Sequence, residues 1–325
     1  MHDFTLLVLE DAYATGVATS LDILAAARAL APRAGVAAPR WRTCSVGGGA
    51  VRLQGGMHVE TTRLPARAGA DRSTWVVPGL GMDDPLSLRG RLVRPDAGVA
   101  IKALARHAQA GGAVAASCSA VFLLHAAGLL DGRRATTTWW LAPLLQAVAP
   151  DCAVDADRMV CADGAVTTAG AAFAHTDLML HLLRARCGNA LVEAVSRVLL
   201  IDGRQAQAPF VVPEILASGD DLVARLAARI AAALPCAPSV GDLAREFCMS
   251  ERTLSRHVRR ATGKSTLALV QGVRMRRARA LLESSRMTVD QVAEAVGYQD
   301  STALRRLMRK VAGANPSRYR PAVAA

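Results

Sequence analysis

A cysteine in the first half of the chain stands where a protein can use a thiolate as a nucleophile. Cys118 follows the small apolar run Ala113–Ser117 and precedes Ser119–Leu124, a stretch typical of a helix. A residue in such a strand-to-helix turn is lifted above the sheet, beside a helix N-terminus whose dipole favours the thiolate. A cysteine enzyme also needs a base, usually histidine, within hydrogen-bond reach. Cys118 therefore indicates nucleophilic chemistry only if the chain supplies that base.

Two histidines are candidates for the base. His125 lies seven residues after Cys118 in the same predicted helix, and it points along that helix rather than at the thiol. His175 comes just after Gly170 and could approach the strand ends. Neither position predicts a convincing cysteine-histidine pair.

The cysteines as a group do not indicate a metal site. They are seven, an odd number, and no two are spaced as Cys-x-x-Cys. This pattern argues against a disulfide framework and against a zinc knuckle. We expect most of them to be buried thiols, and we expect no metal ion and no cofactor.

The elements that position Cys118 belong to a chain with room for two domains. Its 325 residues are 52% apolar and 20% charged, enough to fill two hydrophobic cores. The longest apolar stretch, Gly112–Leu130, contains Ser, Cys and His and is interrupted by glycine, so it is a poor bilayer span. His2 and Asp3 lead into Phe4–Leu9 without a basic leader or a cleavage site. We therefore expect a cytoplasmic protein that does not bind a membrane.

The positive charge is concentrated near the C-terminus. From Cys236 onward there are 17 Lys and Arg against seven Asp and Glu, which is +10 of the formal net charge of +12. Such an uneven distribution favours a polyanionic partner for this region, and a merely solubilising surface is the alternative.

The first two hundred residues alternate strand-like and helix-like segments. This alternation predicts a doubly wound α/β domain, with a parallel sheet covered by helices on both faces. The predicted strands are Phe4–Leu9, Arg42–Val46, Trp75–Val77, Ala113–Ala116, Met159–Cys161 and Ala165–Ala169. The predicted helices are Ala18–Leu30, Val99–Ala110, Ser119–Ala127, Leu141–Val148, His175–Ala185 and Ala190–Leu200.

The rest of the chain reads as helices only. Residues 203–219 contain two Gln and two Pro without periodicity and are predicted to be a linker. We therefore expect a sheet domain over residues 1–202 and an all-α domain over residues 220–325. The latter opens with Asp220 and Asp221, acids that suit the positive end of a helix dipole.

A repeated unit fills the all-α domain. Val240–Met249 and Val289–Tyr298 share the order apolar, apolar-Ala, apolar and turn at an offset of 49 residues. Beyond the turn, Leu254-Ser255-Arg256 corresponds to Leu304-Arg305-Arg306 at an offset of 50. One structural unit is therefore used twice.

Each unit has the anatomy of a helix-turn-helix motif. A short helix carries a small Ala, Ala244 or Ala293, that lets the next helix pack closely. Ser250 is a good N-cap for the helix that follows the first turn. The spacing of the apolar residues turns Leu254 and Val258 in the first unit, and Leu304, Leu307 and Met308 in the second, toward the core. The outward residues are then Arg252, Ser255, Arg256 and Arg259 in the first unit, and Ser301, Thr302, Arg305 and Arg309 in the second.

The second half resembles the AraC/XylS-type DNA-binding domain. The resemblance rests on Met249–Arg256, Ala261–Gly263, Ala293–Tyr298 and Asn315–Arg320. It implies seven short helices whose two recognition helices enter successive major grooves of double-stranded DNA. By position it implies base contacts from Arg252, Ser255 and Arg256, and from Ser301, Thr302, Arg305 and Arg306. Arg306 could instead lie at the edge of the core or reach a phosphate, and Met308 replaces the family's usual aromatic core residue. A basic bundle that binds protein is the alternative.

The first half resembles the PfpI-type, class I glutamine-amidotransferase-like domain that precedes AraC-type domains in some regulators. The residues that carry the resemblance are Val77–Gly79, Ser117–Ser119, Ala127–Thr137, Thr168–Gly170, Asp177–Leu178 and Arg204–Phe210. The family commonly has Thr-Thr-His-Trp where this chain has Thr-Thr-Thr-Trp, so the resemblance puts Thr138 at the histidine position. A threonine hydroxyl is no base near neutral pH, so we expect no catalytic residues and no enzyme.

A binding pocket is predicted where the parallel strands end. Cys118, Gly79 and Thr138 should converge there, and with Ser119 they are the predicted ligand-binding residues. The sequence thus predicts a transcriptional regulator whose first domain senses a small-molecule effector and, by resemblance, forms a homodimer. The alternatives are a cysteine-dependent hydrolase or amidase and a thiol redox sensor, both using Cys118.

Overall fold

The computed structural model describes residues 2–65, 71–82, 84–201, 207, 221–263, 265–312 and 315–319. The chain divides into two compact units, Met1–Arg204 and Gln205–Ala325. The predicted linker, residues 203–219, lies outside the described residues except for Gln207, and so does most of the Arg204–Phe210 motif.

The first unit is built around an eight-stranded sheet of order β3-β4-β2-β1-β5-β6-β10-β9, with β7 and β8 as a separate pair. The strands are β1 Phe4–Leu7, β2 Trp41–Ser45, β3 Gly49–Arg52, β4 His58–Arg63, β5 Thr74–Val77, β6 Val114–Ser117, β7 Arg134–Ala135, β8 Ala153–Val154, β9 Val160–Asp163 and β10 Val166–Ala169. The six inner strands run parallel. The prediction of an α/β sheet domain is therefore confirmed.

The sheet is mixed rather than wholly parallel, which corrects one expectation. The two edge strands, β3 and β9, run antiparallel to their neighbours. An antiparallel neighbour can be joined by a tight turn, whereas a parallel one needs a crossover. Between β9 and β10 only Gly164 and Ala165 intervene, and Gly164 has the positive φ of +59° that such a turn requires.

Helices cover both faces of the sheet. Alternate residues of β1 point to opposite sides, so that Leu6 packs in one core with α1, α6 and α7, and Leu7 packs in the other with α3, α4 and α5. Both side chains are buried, as expected for a strand at the centre of a covered sheet. The helices are α1 Ala14–Leu30, α2 Pro85–Leu92, α3 Pro95–Gln109, α4 Val121–Ala126, α5 Ala142–Val148, α6 Ala174–Cys187 and α7 Asn189–Val198.

The second unit is helical in its described part. Its helices are α8 Asp221–Ala232, α9 Val240–Glu246, α10 Glu251–Thr262, α11 Thr266–Ser284, α12 Val289–Ala295 and α13 Ser301–Ala312, followed by a 3-10 turn at Pro316–Tyr319. Seven short helices were expected; the described residues form six α-helices, and α11 is 19 residues long. It is long because it contributes to two cores, one with α8, α9 and α10 and the other with α12 and α13.

The duplication is visible in the helix caps. Both α9 and α12 begin with a capping box, with Ser239 or Thr288 as the N-cap. Ser250 caps α10, as predicted, by accepting from the backbone N–H of Thr253 at 3.1 Å. At the equivalent place before α13, the Asp300 carboxylate accepts from two backbone N–H groups at 2.7 and 2.9 Å. Local sequence thus fixes where each helix of the repeat starts.

Within the described residues, no helix is both long and apolar enough to cross a membrane.

Candidate functional site

The helix α10 has one buried and one exposed face. Leu254 and Val258 are fully buried, as predicted, in the first core of the second unit. Arg252, Arg256 and Arg259 are exposed on the other side. The exposed face therefore carries three guanidinium groups within about two helical turns.

Ser255 lies at the edge of that face rather than at its centre. It is half-buried, and the hydroxyl of Thr266 donates to its Oγ over a long distance of 3.5 Å. The start of α11 therefore limits how far Ser255 projects.

The helix α13 repeats this arrangement. Its buried stripe of Leu304, Leu307 and Met308 packs in the second core, as predicted. On the outer side Thr302, Arg305, Arg306 and Arg309 are exposed, whereas Ser301 is half-buried. The exposure of Arg306 places it outside the core.

Two of the outer arginines of α13 interact with nearby polar groups. The Nε of Arg309 donates to Asn315 Oδ1 at 2.8 Å, which holds it at the C-terminal end of the helix. Arg306 helps to lower the pKa of Asp300, although the main cause is the hydrogen bonds from the N–H groups of Ala303 and Thr302.

Four of the arginines on the two exposed faces differ from those of the surrounding scaffold. Arg229 pairs with Glu246 at 2.7 Å and Arg279 pairs with Glu283 at 2.6 Å. By contrast, no hydrogen bond or ion pair with another described residue is formed by the side chains of Arg252, Arg256, Arg259 and Arg305. These four cations are therefore available to an external anion.

The predicted cysteine elbow is present in the first unit. Cys118 lies between β6 and α4, in a 3-10 turn over Cys118–Ala120, with a φ of +55°. This left-handed conformation is strained for a residue other than glycine. The Cys118 side chain is fully buried. The structure thus shows the elbow but places the thiol out of contact with solvent.

The loop after β5 packs against the elbow and is hydrogen-bonded to it. A Cβ atom on Gly79 would lie 2.9 Å from the Cβ of Cys118 and 3.1 Å from Cδ2 of Tyr13, so only glycine fits. The backbone N–H of Leu80 donates to the hydroxyl of Ser119 at 3.0 Å. Gly79 and Ser119, both predicted ligand-binding residues, therefore hold the loop after β5 against the elbow.

The threonine segment also lies against the elbow. The hydroxyl of Thr137 donates to the carbonyl oxygen of Cys118 at 2.7 Å. The next residue, Thr138, is fully buried, and its hydroxyl has no hydrogen-bond partner among the described residues. The position where the resemblance expects a histidine thus holds a buried hydroxyl, whose missing hydrogen bond costs about 1–3 kcal/mol.

His175 reaches the end of β6 but bonds to the residue before the cysteine. Its Nδ1 lies 2.8 Å from Ser117 Oγ and its Nε2 lies 2.7 Å from Ser20 Oγ. Ser20 gives its single hydroxyl proton to the carbonyl oxygen of Gly16, so it must accept from Nε2–H. Nδ1 is then the acceptor for Ser117. Burial lowers the pKa of His175 to about 4, which keeps the imidazole neutral.

These bonds determine what the elbow can do chemically. Both nitrogens of His175 are occupied by serine hydroxyls, so it is not the base of Cys118. His125 is half-buried in α4, and its Nδ1 is buried without a hydrogen-bond partner among the described residues, in line with the expectation that it does not pair with Cys118. Sequence reasoning placed His175 near the strand ends but missed Ser20 and Ser117, because no local pattern links residues 155 and 58 positions apart.

No group of three or more His, Cys, Asp or Glu side chains within the described part of the chain is arranged to hold a metal ion.

Comparison with known families matches both halves of the chain. The model of the DJ-1/PfpI family matches residues 13–185. A helix-turn-helix domain model matches residues 243–322, which include α10 and α13.

Relatives with both halves are described as regulators. The chain is 26% identical over 304 residues to the HTH-type transcriptional regulator ArgR of Pseudomonas aeruginosa, covering 86% of this chain and 89% of the relative. It is 26% identical over 277 residues to the HTH-type transcriptional regulator GlxA of Rhizobium meliloti, covering 82% of each.

Among solved structures, an AraC family transcriptional regulator from Pseudomonas putida is similar in fold. It superposes with a TM-score of 0.51 at 22% identity, covering 61% of this chain and 100% of that one.

Proposed function

This chain is a member of the DJ-1/PfpI family with an AraC-type helix-turn-helix region behind it, and from that premise we propose that it is a sequence-specific, DNA-binding transcriptional regulator. The observation that carries the proposal is the set of exposed arginines on α10 and α13 that have no partner among the described residues. A protein that exposes such cations on both recognition helices of a duplicated helix-turn-helix motif is suited to a polyanion of regular repeat.

Readout of the bases is assigned to the outer faces of the two helices. The planar guanidinium forks of Arg252 and Arg256 in α10 can each pair with the two acceptors of a guanine in the major groove. In α13 the offset of 50 residues makes Thr302 and Arg306 the counterparts of Arg252 and Arg256, and Ser301 and Arg305 lie beside them. Arg259 and Arg309 lie toward the helix ends, where contact with a phosphate is the simpler role. Ser255, at the edge of its face, contributes a hydroxyl rather than a charge.

The first unit is assigned the sensing of a small molecule. Its binding residues are Gly79, Cys118, Ser119 and Thr138. The buried hydroxyl of Thr138 supports this role, because a polar group of a bound molecule would supply the hydrogen bond that it lacks. Since all four residues are buried, the effector enters only when the loop after β5 or the threonine segment moves.

Regulation without catalysis agrees with the chemistry of the elbow. Catalysis by Cys118 would need a base at the thiol, and Thr138 occupies the position where the family commonly has histidine.

We expect the protein to act as a homodimer, so that a pair of helical regions reads repeated half-sites. We expect it to act in the cytoplasm. The effector changes DNA binding only if it has different affinities for two states of the protein.

The test is selection of bound DNA from a random pool by the full-length protein, repeated with candidate metabolites. The expected result is one consensus sequence, and a metabolite that shifts its enrichment is the effector. Equal retention of all sequences at physiological salt would contradict sequence-specific regulation. Labelling of Cys118 by an acyl substrate, with release of product, would favour the hydrolase instead.

A further inference from the structure

The two helix-turn-helix units share a single helix, α11. Its first half supplies Leu269, Val270 and Val273 to the first core, and its second half supplies Met275, Ala278 and Leu282 to the second. The boundary between the cores therefore falls at Arg274. Each core uses one side of α11, so the helix by itself attaches each unit along a single stripe.

A second attachment joins the units away from α11. Gly297, in the turn of the second unit, lies so close to the first unit that a Cβ on it would be 2.1 Å from the carbonyl oxygen of Pro235. Pro235 belongs to the connection between α8 and α9. Gly297 also has a φ of +84°, so both the space and the backbone at this point admit only glycine.

Arg274 lies at this attachment. Its guanidinium carbon is 5.2 Å from the ring centroid of Tyr298, a cation–π contact. Its Nη2 atom is 3.3 Å from the position of a Cβ on Gly297. Its Nε is buried and forms no hydrogen bond with a described residue. Arg274 is thus placed for packing against the turn rather than for pairing with an acid.

We infer that Pro235, Arg274, Gly297 and Tyr298 form a clamp that fixes the distance and angle between α10 and α13, and thereby the spacing of the two DNA boxes that the protein accepts. A box is the short sequence contacted by one recognition helix. The clamp rests on the proposed function. Its members are positioning residues, since they act through the helices and not through contact with a base.

The physical consequence is a strict dependence on spacing. Adding one base pair between the boxes moves the second box by about 3.4 Å and rotates it by about 35°. A rigid pair of helices meets this change only by deforming the DNA, which weakens binding. A pair that can rock about α11 absorbs part of the change in the protein.

The experiment compares spacing profiles of the full-length protein. The selected operator is remade with one base pair added or removed between the boxes, and each affinity is measured by fluorescence anisotropy. The wild type should lose about tenfold in affinity on either change, because the DNA must deform to meet the rigid pair of helices. Arg274→Met keeps the aliphatic stem and removes the cation–π contact, and Tyr298→Leu removes the ring from the other side.

Both variants should lose about threefold or less in affinity on the same changes in spacing, because a looser pair of helices deforms the DNA less. Arg277→Met is the matched control, since Arg277 is exposed on the same helix and outside the clamp. It should keep the tenfold penalty even if loss of a phosphate contact lowers its affinity at every spacing. Thermal unfolding identifies a variant that fails to fold, and the other variant then decides.

Two results overturn the clamp in different ways. Selection of a two-box operator with the same spacing penalty in the wild type and in the folded variants would refute the clamp alone. If the wild type selects no DNA, the proposed function fails and the clamp fails with it.

Discussion

The Nδ1 atom of His175 lies 2.8 Å from the Oγ of Ser117, the residue immediately before the elbow cysteine. Through Nε2 the same ring reaches Ser20 in α1, so one buried imidazole links the end of β6 to a helix on one face of the sheet. The link needs a neutral ring, because Nδ1 must accept a hydrogen bond from the Ser117 hydroxyl. Charging the ring would break this bond and place a cation in the core.

The first prediction is that stability falls as the pH is lowered from about 6.5 to about 4. The folded pKa of His175 is lowered to about 4 from 6.5, so within this window the unfolded chain binds a proton that the folded chain does not. The stabilisation is complete above pH 6.5, and the loss from His175 is on the order of 3 kcal/mol. Burial also lowers the pKa of His107 and of His181, which adds to the loss in the same direction.

The measurement is the free energy of unfolding in urea at each pH. His175→Asn keeps polar groups near Ser117 and Ser20 but does not titrate. Its stability should therefore fall less steeply between pH 6.5 and pH 4, whatever its stability at pH 7. Equal slopes for the variant and the wild type would show that His175 does not carry the effect.

The second prediction concerns two neighbouring threonines with opposite effects. Thr138→Val removes a buried hydroxyl that has no partner, so it should raise the free energy of unfolding by about 1 kcal/mol in the absence of effector. Thr137→Val removes a hydroxyl that donates to the Cys118 carbonyl, so it should lower the free energy of unfolding by about 1 kcal/mol.

Chemical denaturation of the two variants side by side measures this difference. Each variant makes the same chemical change at adjacent buried positions, so each is the control for the other. If Thr138 contacts the effector, Thr138→Val should also weaken the effect of the effector on DNA binding. Destabilisation by both substitutions to the same extent would show that the Thr138 hydroxyl is satisfied.

The recognition helices were predictable because the residues that define them lie close together in the sequence. The spacing of Leu254 and Val258 alone determines which side of α10 is buried, and Ser250, as its N-cap, marks the residue before the helix begins. The strand β4 was not predicted, because it lies near a sheet edge and its polar residues do not alternate with apolar ones. The clamp was equally invisible in the sequence, since Pro235 and Gly297 meet only after both units have folded.

Burial of the elbow depends on contacts between distant segments. Cys118, Gly79 and Thr138 were predicted to converge from the rule that ligands bind at the carboxyl ends of parallel strands. That rule predicts where these residues meet but not that they are buried. Their burial follows from the fit of Gly79 between Cys118 and Tyr13, which no spacing along the chain encodes.

The third prediction is that Cys248→Gly stabilises the second unit by about 0.5–1 kcal/mol. Cys248 has a φ of +55° in the first turn, where the second turn has Gly297. A left-handed conformation costs a non-glycine residue about 1–2 kcal/mol, and the greater freedom of glycine in the unfolded chain offsets part of the gain. Cys248 is exposed, so little packing is lost.

Thermal unfolding of the variant measures this effect. Cys236→Gly is the matched control, because Cys236 is also exposed but does not have a positive φ. The control should be neutral or slightly destabilised by the added freedom of the unfolded chain. A melting temperature that changes equally in both variants would attribute the effect to loss of a thiol rather than to the backbone.

The fourth prediction distinguishes a base contact from a general electrostatic effect. Arg256→Ala should weaken binding to the selected operator by about 1–3 kcal/mol and relax the preference at one base pair, as loss of a bidentate contact does. Arg259→Ala should weaken binding to all sequences about equally and reduce the slope of log affinity against log salt by about one. Arg245→Ala is the control, because Arg245 is exposed on α9 and already pairs with Asp242. It should change neither the base preference nor the salt slope beyond experimental error.

Gel-shift titrations with the operator and its single-base variants, at two salt concentrations, separate these cases. Unchanged affinity and specificity in Arg256→Ala would remove that residue from the reading face and shift the assignment to Arg252.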